Sequence, residues 1–473
     1  MQHSSFQKGS RQIGRRGFLG RVATGGAAGL LVTADPPTRA NDTAKARGKA
    51  MPWKVDVTIY DRPGWSSTSY GLPVRKDKSG ELVVGFQTQR EDTVIDDFYS
   101  GHAEWVFLSS QNGGKSWKST SRDGLPVDSR WPHRSHHCTH GWAVELGDGT
   151  LINVVEDAPT PAEAKAHLEN LGLGHLWHPD STFGWDLWPT SHTERLKKQG
   201  DFVFDHPGPH LPEGVVATHN RPIMTTISHD GGKTWEERPI EGLPRFARIG
   251  GWFRGSGTVL ADGAVIGVIS AGSVPASGHT SAYALRSEDK GLSWELIPIA
   301  HEPGGLSFNE TDLLTLPSGR ILAMIRGGAE ASLYQSHSDD AGRTWSKPTP
   351  TAIQGQPGNL LRLKSGNILC VYRRRGYPEG YSGVLSHDDG KTWDVANEIQ
   401  IRDDTLPGLT GYPSSVQLDD GTIFTIYNVL RIGPLKDKDK WGYKKDLLIR
   451  PPLHSYIAGS IYTEDFTSPP GVS

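Results

Sequence analysis

The residues of this chain best suited to chemistry are a histidine-rich run, one glutamate near apolar segments, several arginines and one tyrosine. They are His136, His137 and His140, Glu310, Arg254, Arg326, Arg373 and Arg374, and Tyr412. Imidazole changes its charge near neutral pH, so a histidine can serve as a general acid or base. An unpaired carboxylate is expensive to bury, so Glu310 is expected to be paired or functional. Arginines that meet in one pocket would bind an acidic ligand through charge-assisted hydrogen bonds.

The first of two repeated motifs that must position these residues reads Ser-x-Asp-x-Gly-x-Thr/Ser-Trp. It occurs at residues 228–235, 287–294, 338–345 and 386–393, with a weaker copy at 110–117 in which Asn112 takes the Asp position. The Asp and Gly suit a tight turn, because the Asp side chain accepts hydrogen bonds from nearby backbone N–H groups. The Trp can pack beneath the turn, between neighbouring sheets. We therefore interpret these boxes as structural rather than as sugar-binding platforms.

The second motif is a hairpin turn that ends in glycine and leads into an apolar strand. Its glycines are Gly80, Gly149, Gly263, Gly319, Gly366 and Gly421. Asp-Gly and Ser-Gly steps between apolar runs are strong hairpin signals. The turns interleave with the Trp boxes, which predicts six four-stranded antiparallel units that stack radially to bury their faces. The predicted fold is an all-β, six-bladed β-propeller over residues 65–465, with a strand at Val55–Tyr60 helping to close the ring.

Composition agrees with this fold class and excludes several functions. The 473 residues include 57 glycines and 15 tryptophans but only 4 methionines, as expected for many turns and aromatic-rich strands. Two cysteines, Cys138 and Cys370, exclude a disulfide scaffold and a cysteine-rich metal site. The formal net charge of −3 argues against nucleic acid as the main partner. The histidine run lacks further ligands at typical spacing, so we predict neither a metal nor a cofactor.

Residues 1–40 have the pattern of an export signal. The twin arginine Arg15-Arg16 precedes a weakly apolar stretch rich in glycine and alanine, and small residues permit cleavage after Ala40. This stretch is too short and too glycine-rich to span a bilayer as a stable helix, and no other segment is predicted to do so. We expect residues 41–64 to form an N-terminal segment and the mature protein to be periplasmic or secreted.

The glycine turns also predict which residues line the central pocket. In a propeller, the start of the innermost strand and the end of the second strand lie on the face opposite these turns. Nine residues before each turn glycine lie Gly71, His140, Arg254, Glu310, Pro357 and Tyr412. Seven residues after each glycine lie Gln87, Glu156, Ser270, Arg326, Arg373 and Asn428. The predicted rim is polar and contains several arginines, which indicates a pocket for an acidic carbohydrate.

Boxes of this form, at this spacing, resemble the Asp-box (BNR) repeats of the sialidase, or neuraminidase, superfamily. The resemblance covers about residues 65–465. It implies an exo-glycosidase that hydrolyses terminal acidic sugars of the sialic acid type from glycans. Asn309-Glu310 followed by Arg326 resembles the family's glutamate and its next arginine.

Residues 411–415 resemble the segment around the family's catalytic tyrosine. By this resemblance Tyr412 is the nucleophile, which suits an anomeric carbon that bears a carboxylate because an anionic nucleophile would be repelled. The family's third arginine is not found at its usual place, so Arg373 or the adjacent Arg374 is expected to complete the carboxylate-binding set with Arg326.

The chain departs from the family pattern in two further places. Gly71 stands where the first arginine is expected, and His137 and His140 lie where the family has an acid/base Asp. We therefore expect His140, with His137 as the next choice, to act as the acid/base, and Arg254 to add a cation to the substrate site. The same departures favour an alternative, a uronate-cleaving polysaccharide lyase in which a histidine abstracts the C5 proton. A second alternative is a non-catalytic carbohydrate-binding propeller.

An insertion at about residues 157–220 interrupts blade two between its second and third strands. It holds seven histidines and three tryptophans, and residues 162–171 have a helical pattern. The blade geometry predicts that it rises on the pocket face. It is either a surface excursion or a lid whose aromatic side chains stack on sugar rings.

Replacing His140 by Ala tests the expected acid/base. An unperturbed histidine titrates near pH ~6.5, so a limb of the pH–rate profile is expected at roughly pH 5–7.5. His140→Ala should remove that limb and lower the rate of glycoside cleavage by about 10²–10⁴-fold. A rate that falls as pH rises marks an acid, and the opposite slope marks a base. Unchanged rates and profiles in both His140→Ala and His137→Ala would make these histidines structural.

Overall fold

The glycine turns join the two innermost strands of every blade. All six turn glycines have a backbone φ between +83° and +97°, a left-handed conformation that other residues disfavour. In blade two, the Gly149 N–H donates to the Leu146 carbonyl at 2.9 Å, and the Leu146 N–H donates to the Thr150 carbonyl at 2.9 Å. Each turn thus starts an antiparallel hairpin in a defined register.

The structure is a computed structural model in which residues 46–473 form one compact unit. It describes residues 49–50, 54–77, 79–90, 103–120, 141–156, 161–176, 187–201, 203–204, 213–218, 222–244, 247–248, 257–272, 280–301, 306–327, 332–374, 378–406, 411–432 and 453–465. Within these residues, no helix has the length and apolar character needed to cross a membrane.

The blades are six antiparallel sheets of four strands, which confirms the predicted propeller. From the innermost strand outward, blade one contains Trp65–Lys76, Leu82–Arg90, Ala103–Ser110 and Lys118–Thr120. Blade two contains Gly141–Glu145, Leu151–Glu156, Ile223–Ser228 and Glu236–Pro239. Blade three contains Gly257–Val259, Val265–Gly272, Thr280–Ser287 and Glu295–Ala300, with Ala247–Arg248 as a short extra strand.

The remaining three blades follow the same order. Blade four contains Phe308–Thr315, Ile321–Gly327, Ser332–Ser338 and Thr349–Gln354. Blade five contains Gly358–Arg362, Ile368–Arg374, Gly380–Ser386 and Ile399–Arg402, and Lys49–Ala50 pairs in parallel with the last of these. Blade six contains Ser414–Gln417, Ile423–Ile432, Leu453–Tyr462 and Val55–Tyr60.

The strand Val55–Tyr60 closes the ring. It pairs antiparallel with Leu453–Tyr462, placing Val55 opposite Ile461 and Tyr60 opposite Ile457. The outermost strand of blade six therefore comes from the N-terminal side of the chain. This explains why the last blade has no Trp box, since the box turn would lead into a strand that this segment replaces.

Side chains of the second strands fill the spaces between blades on alternating faces. In blade three, Val265 packs with Trp142 of blade two, whereas Ile266 packs toward blade four. Trp142 is fully buried, and a Cβ atom at Gly267 would lie only 2.2 Å from its indole ring. Glycine at this position thus allows the ring to lie flat against the next blade.

The Asp-box turns have the hydrogen bonds that the motif predicts. In the box at 338–345, Asp340 accepts from Ser338 Oγ at 2.8 Å, from the Thr344 N–H at 2.8 Å and from Thr344 Oγ1 at 2.6 Å. Ser338 Oγ accepts from the Gly342 N–H at 2.8 Å. One carboxylate therefore accepts three hydrogen bonds within the turn.

The indole N–H of Trp117, Trp235 and Trp345 donates to a glycine carbonyl of its own box turn, whereas two box tryptophans reach the preceding blade. Trp294 of blade three donates from Nε1 to Thr225 Oγ1 of blade two at 2.7 Å. Trp393 of blade five donates to Gln335 Oε1 of blade four at 2.8 Å. These side chains are structural links between blades and lie on the face of the glycine turns.

The insertion in blade two forms a small subdomain with its own core. Its helices are Pro161–Asn170 and Thr193–Lys198, its short 3-10 turns are Gly174–Leu176 and Thr190–His192, and its strands are Leu187–Pro189, Val203–Phe204 and Val215–Thr218. The first helix confirms the predicted one. Trp188 donates from Nε1 to Thr218 Oγ1 at 3.1 Å and meets the His167 ring edge-on, so it is integrated into the subdomain.

Asp340→Ala is expected to lower the free energy of unfolding by about 1 kcal/mol, the usual loss for a capping side chain. Asp340→Asn should retain most of it, because Asn112 at the equivalent position still accepts from the Ser116 N–H at 2.9 Å. Urea unfolding at pH 7 compares the two variants, and equal losses would contradict this account.

The stability difference between wild type and Asp340→Asn is expected to depend on pH. The Thr344 hydroxyl lowers the pKa of Asp340 to about 2 in the folded protein, whereas an unfolded aspartate ionises near ~4. The extra stability of the ionised form is therefore complete above pH 4 and lost as pH falls toward 2. The stability difference between wild type and Asp340→Asn should narrow over that range in acid unfolding experiments.

Candidate active site

Glu310 lies near the start of the innermost strand of blade four, as predicted. The pairing of this strand shifts between Phe308 and Thr311, so Glu310 sits in an irregular stretch. The Glu310 N–H donates to Asn309 Oδ1 at 2.9 Å, and Thr311 Oγ1 donates to the Asn309 carbonyl at 2.5 Å. Irregularities of this kind re-aim a side chain within a strand. The Glu310 side chain is buried, with 4% of the residue exposed.

Glu310, Arg326 and Tyr412 come together from blades four and six. Arg326 ends the second strand of blade four and donates from Nη1 to Glu310 Oε1 at 2.6 Å. The Tyr412 hydroxyl donates to the same oxygen. Glu310 Oε2 is buried and has no hydrogen-bond partner among the described residues. The carboxylate is thus held by a cation and is placed to accept the phenol proton.

The backbone around Tyr412 is held in an unusual conformation. Tyr412 has a φ of +57°, in the left-handed region that a bulky side chain disfavours. The preceding Gly411 N–H donates to Asn428 Oδ1 at 3.3 Å, and the Tyr381 hydroxyl donates to the Asn428 carbonyl at 2.8 Å. Burial raises the pKa of Tyr381, so its hydroxyl stays protonated and remains a donor. Tyr381 and Asn428 therefore brace the segment that presents Tyr412.

Arg373 lies at the pocket end of the second strand of blade five and is paired. Its Nη2 lies 2.6 Å from Glu379 Oε2, and both side chains are largely buried. The Arg373 Nε is buried without a hydrogen-bond partner among the described residues. Arg374 projects from the opposite face of the strand. Burial raises the pKa of Tyr372, and the nearby positive charge of Arg374 partly opposes that increase. Arg374 therefore lies on the side of Tyr372, away from Arg373.

Gln356 lies between the two arginine-bearing strands and was not predicted. Its Oε1 accepts from Arg326 Nε at 3.1 Å, and its N–H donates to the Arg373 carbonyl at 2.8 Å. The rule that counts nine residues back from the turn glycine selected Pro357 and so stopped one residue short of Gln356. The sequence did contain a signal for Gln356. This amide residue directly precedes Pro357, which lies just before the innermost strand of blade five.

A hydrogen-bonded belt fixes the blades that carry these residues. Asp312 Oδ2 of blade four accepts from Asn359 Nδ2 at 2.9 Å and from the Leu360 N–H at 2.7 Å in blade five. Asn359 Oδ1 accepts from the Ser415 N–H of blade six at 2.9 Å. These hydrogen bonds therefore hold the innermost strands of blades four, five and six side by side. Asp312 follows Glu310 closely in the chain, and Ser415 follows Tyr412 in the same way.

The structure does not place every predicted residue. His137, His140 and Arg254 lie outside the described residues, so their part in the site remains a prediction. Gly71 lies within the innermost strand of blade one, where it offers no side chain to a ligand. Glu379 was not predicted as a partner of Arg373. It lies two residues before Tyr381, the partner of Arg373 across the hairpin, and that register is the signal that could have revealed the pair.

The chain is similar to a family of repeat domains and to several known proteins. Residues 211–431 match the family model of the BNR repeat-like domain. A sialidase from Micromonospora viridifaciens is 27% identical over 227 residues, which cover 42% of this chain and 32% of that sialidase, so the match spans about a third of the relative. A protein of unknown function from Dyadobacter fermentans has a TM-score of 0.61 at 23% identity, covering 87% of this chain and 99% of that protein. A NanB sialidase variant from Streptococcus pneumoniae has a TM-score of 0.49 at 14% identity, with 87% and 71% covered.

Asn428→Ala is expected to lower the free energy of unfolding by about 1–3 kcal/mol, because it removes the oxygen that accepts from the buried Gly411 N–H. Exposed Asn397, which donates to Asp394 Oδ2 at 2.8 Å, provides the matched control. Asn397→Ala should change stability by less than about 0.5 kcal/mol. Urea unfolding measures both, and similar effects in the two variants would contradict a bracing role for Asn428.

Proposed function

Since the chain is a sialidase-like propeller built on Asp-box (BNR) repeats, we propose that it is a glycoside hydrolase that removes terminal acidic sugars of the sialic acid type from glycans. The observation that carries the proposal is the hydrogen bond from the Tyr412 hydroxyl to the buried Glu310 carboxylate. A phenol on a carboxylate that is itself held by Arg326 has the arrangement of a nucleophile with its base.

A tyrosine nucleophile suits a sugar whose anomeric carbon carries a carboxylate. A glutamate or aspartate nucleophile would meet that carboxylate with like charge, whereas a phenol approaches uncharged. Tyrosine nucleophiles are the known exception to the two-carboxylate rule of glycosidases. The pairing of Tyr412 with Glu310 therefore favours an anionic over a neutral sugar.

The reaction follows from these two residues and a proton donor. As the Tyr412 oxygen bonds to the anomeric carbon, its proton passes to Glu310 and the bond to the leaving oxygen breaks. The leaving oxygen takes a proton from the acid/base, for which we propose His140 on sequence grounds. Water then attacks the anomeric carbon, loses a proton to the same histidine, and releases Tyr412, which regains its proton from Glu310.

Two arginines are available to hold the substrate carboxylate. Arg326 lies at the candidate site, where it donates to Glu310. Arg373 lies at the end of the neighbouring blade's second strand, and its Nε is buried without a partner among the described residues. The guanidinium of either residue could donate to a ligand carboxylate in a bidentate arrangement. Because Gly71 contributes no side chain, the proposed carboxylate site relies on these two groups, with Arg254 as a further candidate from the sequence. We also propose, from residues 1–40, that the enzyme is exported by the twin-arginine route.

Tyr412→Phe and Glu310→Gln test the proposed pair. Each should lower kcat on an umbelliferyl α-sialoside by about 10³-fold or more, since a general base and its nucleophile act as a unit. Tyr456→Phe in the same blade is the matched control, because its hydroxyl contacts Arg402 at 3.2 Å, outside the site. Near-full activity in Tyr412→Phe would overturn the mechanism.

The products identify the reaction class. The wild-type protein is incubated with sialosides and with uronic acid polysaccharides, while free sugar and the absorbance of a new carbon–carbon double bond are followed. Release of free sialic acid supports the proposal. An unsaturated uronate product would establish a lyase instead, and the absence of both products would leave a carbohydrate-binding propeller.

A further inference from the structure

Gln356 is placed so that its side-chain amide holds Arg326 without adding charge. The residue is 1% exposed. Its Oε1 accepts from Arg326 Nε at 3.1 Å, and its Nε2 donates to the Gly327 carbonyl at 2.8 Å. Because a guanidinium only donates and a carbonyl only accepts, these two partners determine which way the amide points.

The backbone of Gln356 is tied to the second arginine. Its N–H donates to the Arg373 carbonyl at 2.8 Å. The preceding Gly355 permits this close approach, because a Cβ atom there would lie 2.3 Å from the Arg373 carbonyl oxygen and 2.3 Å from the Tyr372 ring. One residue thus connects the strand ends that carry Arg326 and Arg373.

A carboxylate could not take the place of this amide without changing the site. Arg326 already donates to Glu310 at 2.6 Å. A glutamate at position 356 would give the guanidinium a second protein carboxylate. It would also turn an oxygen toward the Gly327 carbonyl, which requires a donor. The neutral amide fixes the guanidinium plane and brings no carboxylate of its own to Arg326.

We propose that Gln356 is a positioning residue that makes the site selective for sugars bearing a carboxylate. It orients Arg326 through Nε and adds no negative charge at that contact. A substrate carboxylate then meets an oriented guanidinium without repulsion from position 356. This inference rests on the proposed function, because it assigns Arg326 to the carboxylate of the substrate.

Gln356→Glu, compared with Gln354→Glu, tests the proposal. Gln354 is exposed, lies two residues earlier and donates to Ser332 Oγ at 2.7 Å, so its replacement adds the same charge away from Arg326. The measurements are KM and kcat on an umbelliferyl α-sialoside, and Kd by calorimetry for N-acetylneuraminic acid and for its methyl ester.

Gln356→Glu should raise KM and the Kd of the free acid by about 10–100-fold, the size expected when a like charge is placed beside a bound ion. It should change kcat and the Kd of the ester by less than about threefold. Gln354→Glu should match wild type in all four quantities. Equal losses for acid and ester, or equal losses in the two variants, would overturn the role of Gln356.

Gln356→Met carries the test if thermal unfolding shows that Gln356→Glu does not fold. It removes both side-chain hydrogen bonds without adding charge, so the Kd of the acid should rise about 3–10-fold while that of the ester stays constant. An unchanged Kd for the acid would refute the positioning role. A wild-type protein that neither cleaves the sialoside nor binds the acid overturns the proposed function itself, and the role of Gln356 with it.

Discussion

The whole site depends on one buried carboxylate. An ionised Glu310 inside the propeller is tolerable only if charge and hydrogen bonds compensate for the water that it has lost. Arg326 and Tyr412 both donate to a single one of its oxygens. Arg326 comes from the next strand of the same blade, but Tyr412 comes from blade six. The need to satisfy this carboxylate therefore couples two blades that are distant in sequence.

That coupling is useful only if the blades are fixed relative to one another. The belt from Asp312 through Asn359 to Ser415 sets the innermost strands of blades four, five and six at one level. Ring closure by Val55–Tyr60 completes blade six from the other end of the chain. The geometry at Tyr412 is thus a consequence of the closed ring, and no single blade contains enough of the site to form it.

The sequence predicted the fold, and the positions of four candidate residues at strand ends, for a physical reason. A turn glycine at positive φ fixes hairpin register, and register with a period of two residues fixes which positions reach the pocket face. Counting from the glycines therefore located Glu310, Arg326, Arg373 and Tyr412 at strand ends. The same count missed Gln356, because Gln356 and Pro357 lie just before the strand, where the regular two-residue alternation does not apply.

Contacts between blades were beyond such counting. The pair of Arg373 with Glu379 arises across one hairpin and could be inferred from its register. The bracing of Gly411 by Asn428 and Tyr381 requires knowledge of how blades five and six face each other.

Three of the four non-glycine residues with positive φ among those described, Lys290, Ala341 and Asp389, lie in Asp-box turns, where hydrogen bonds of the box impose that conformation. Tyr412 is the fourth and lies at the pocket. The box face thus supplies rigid, repeated turns, and the strain at Tyr412, the buried Glu310 and the unpartnered Arg373 Nε gather at the opposite strand ends. Violations of local rules thus concentrate at the candidate site, which supports its choice independently of the similarity to known proteins.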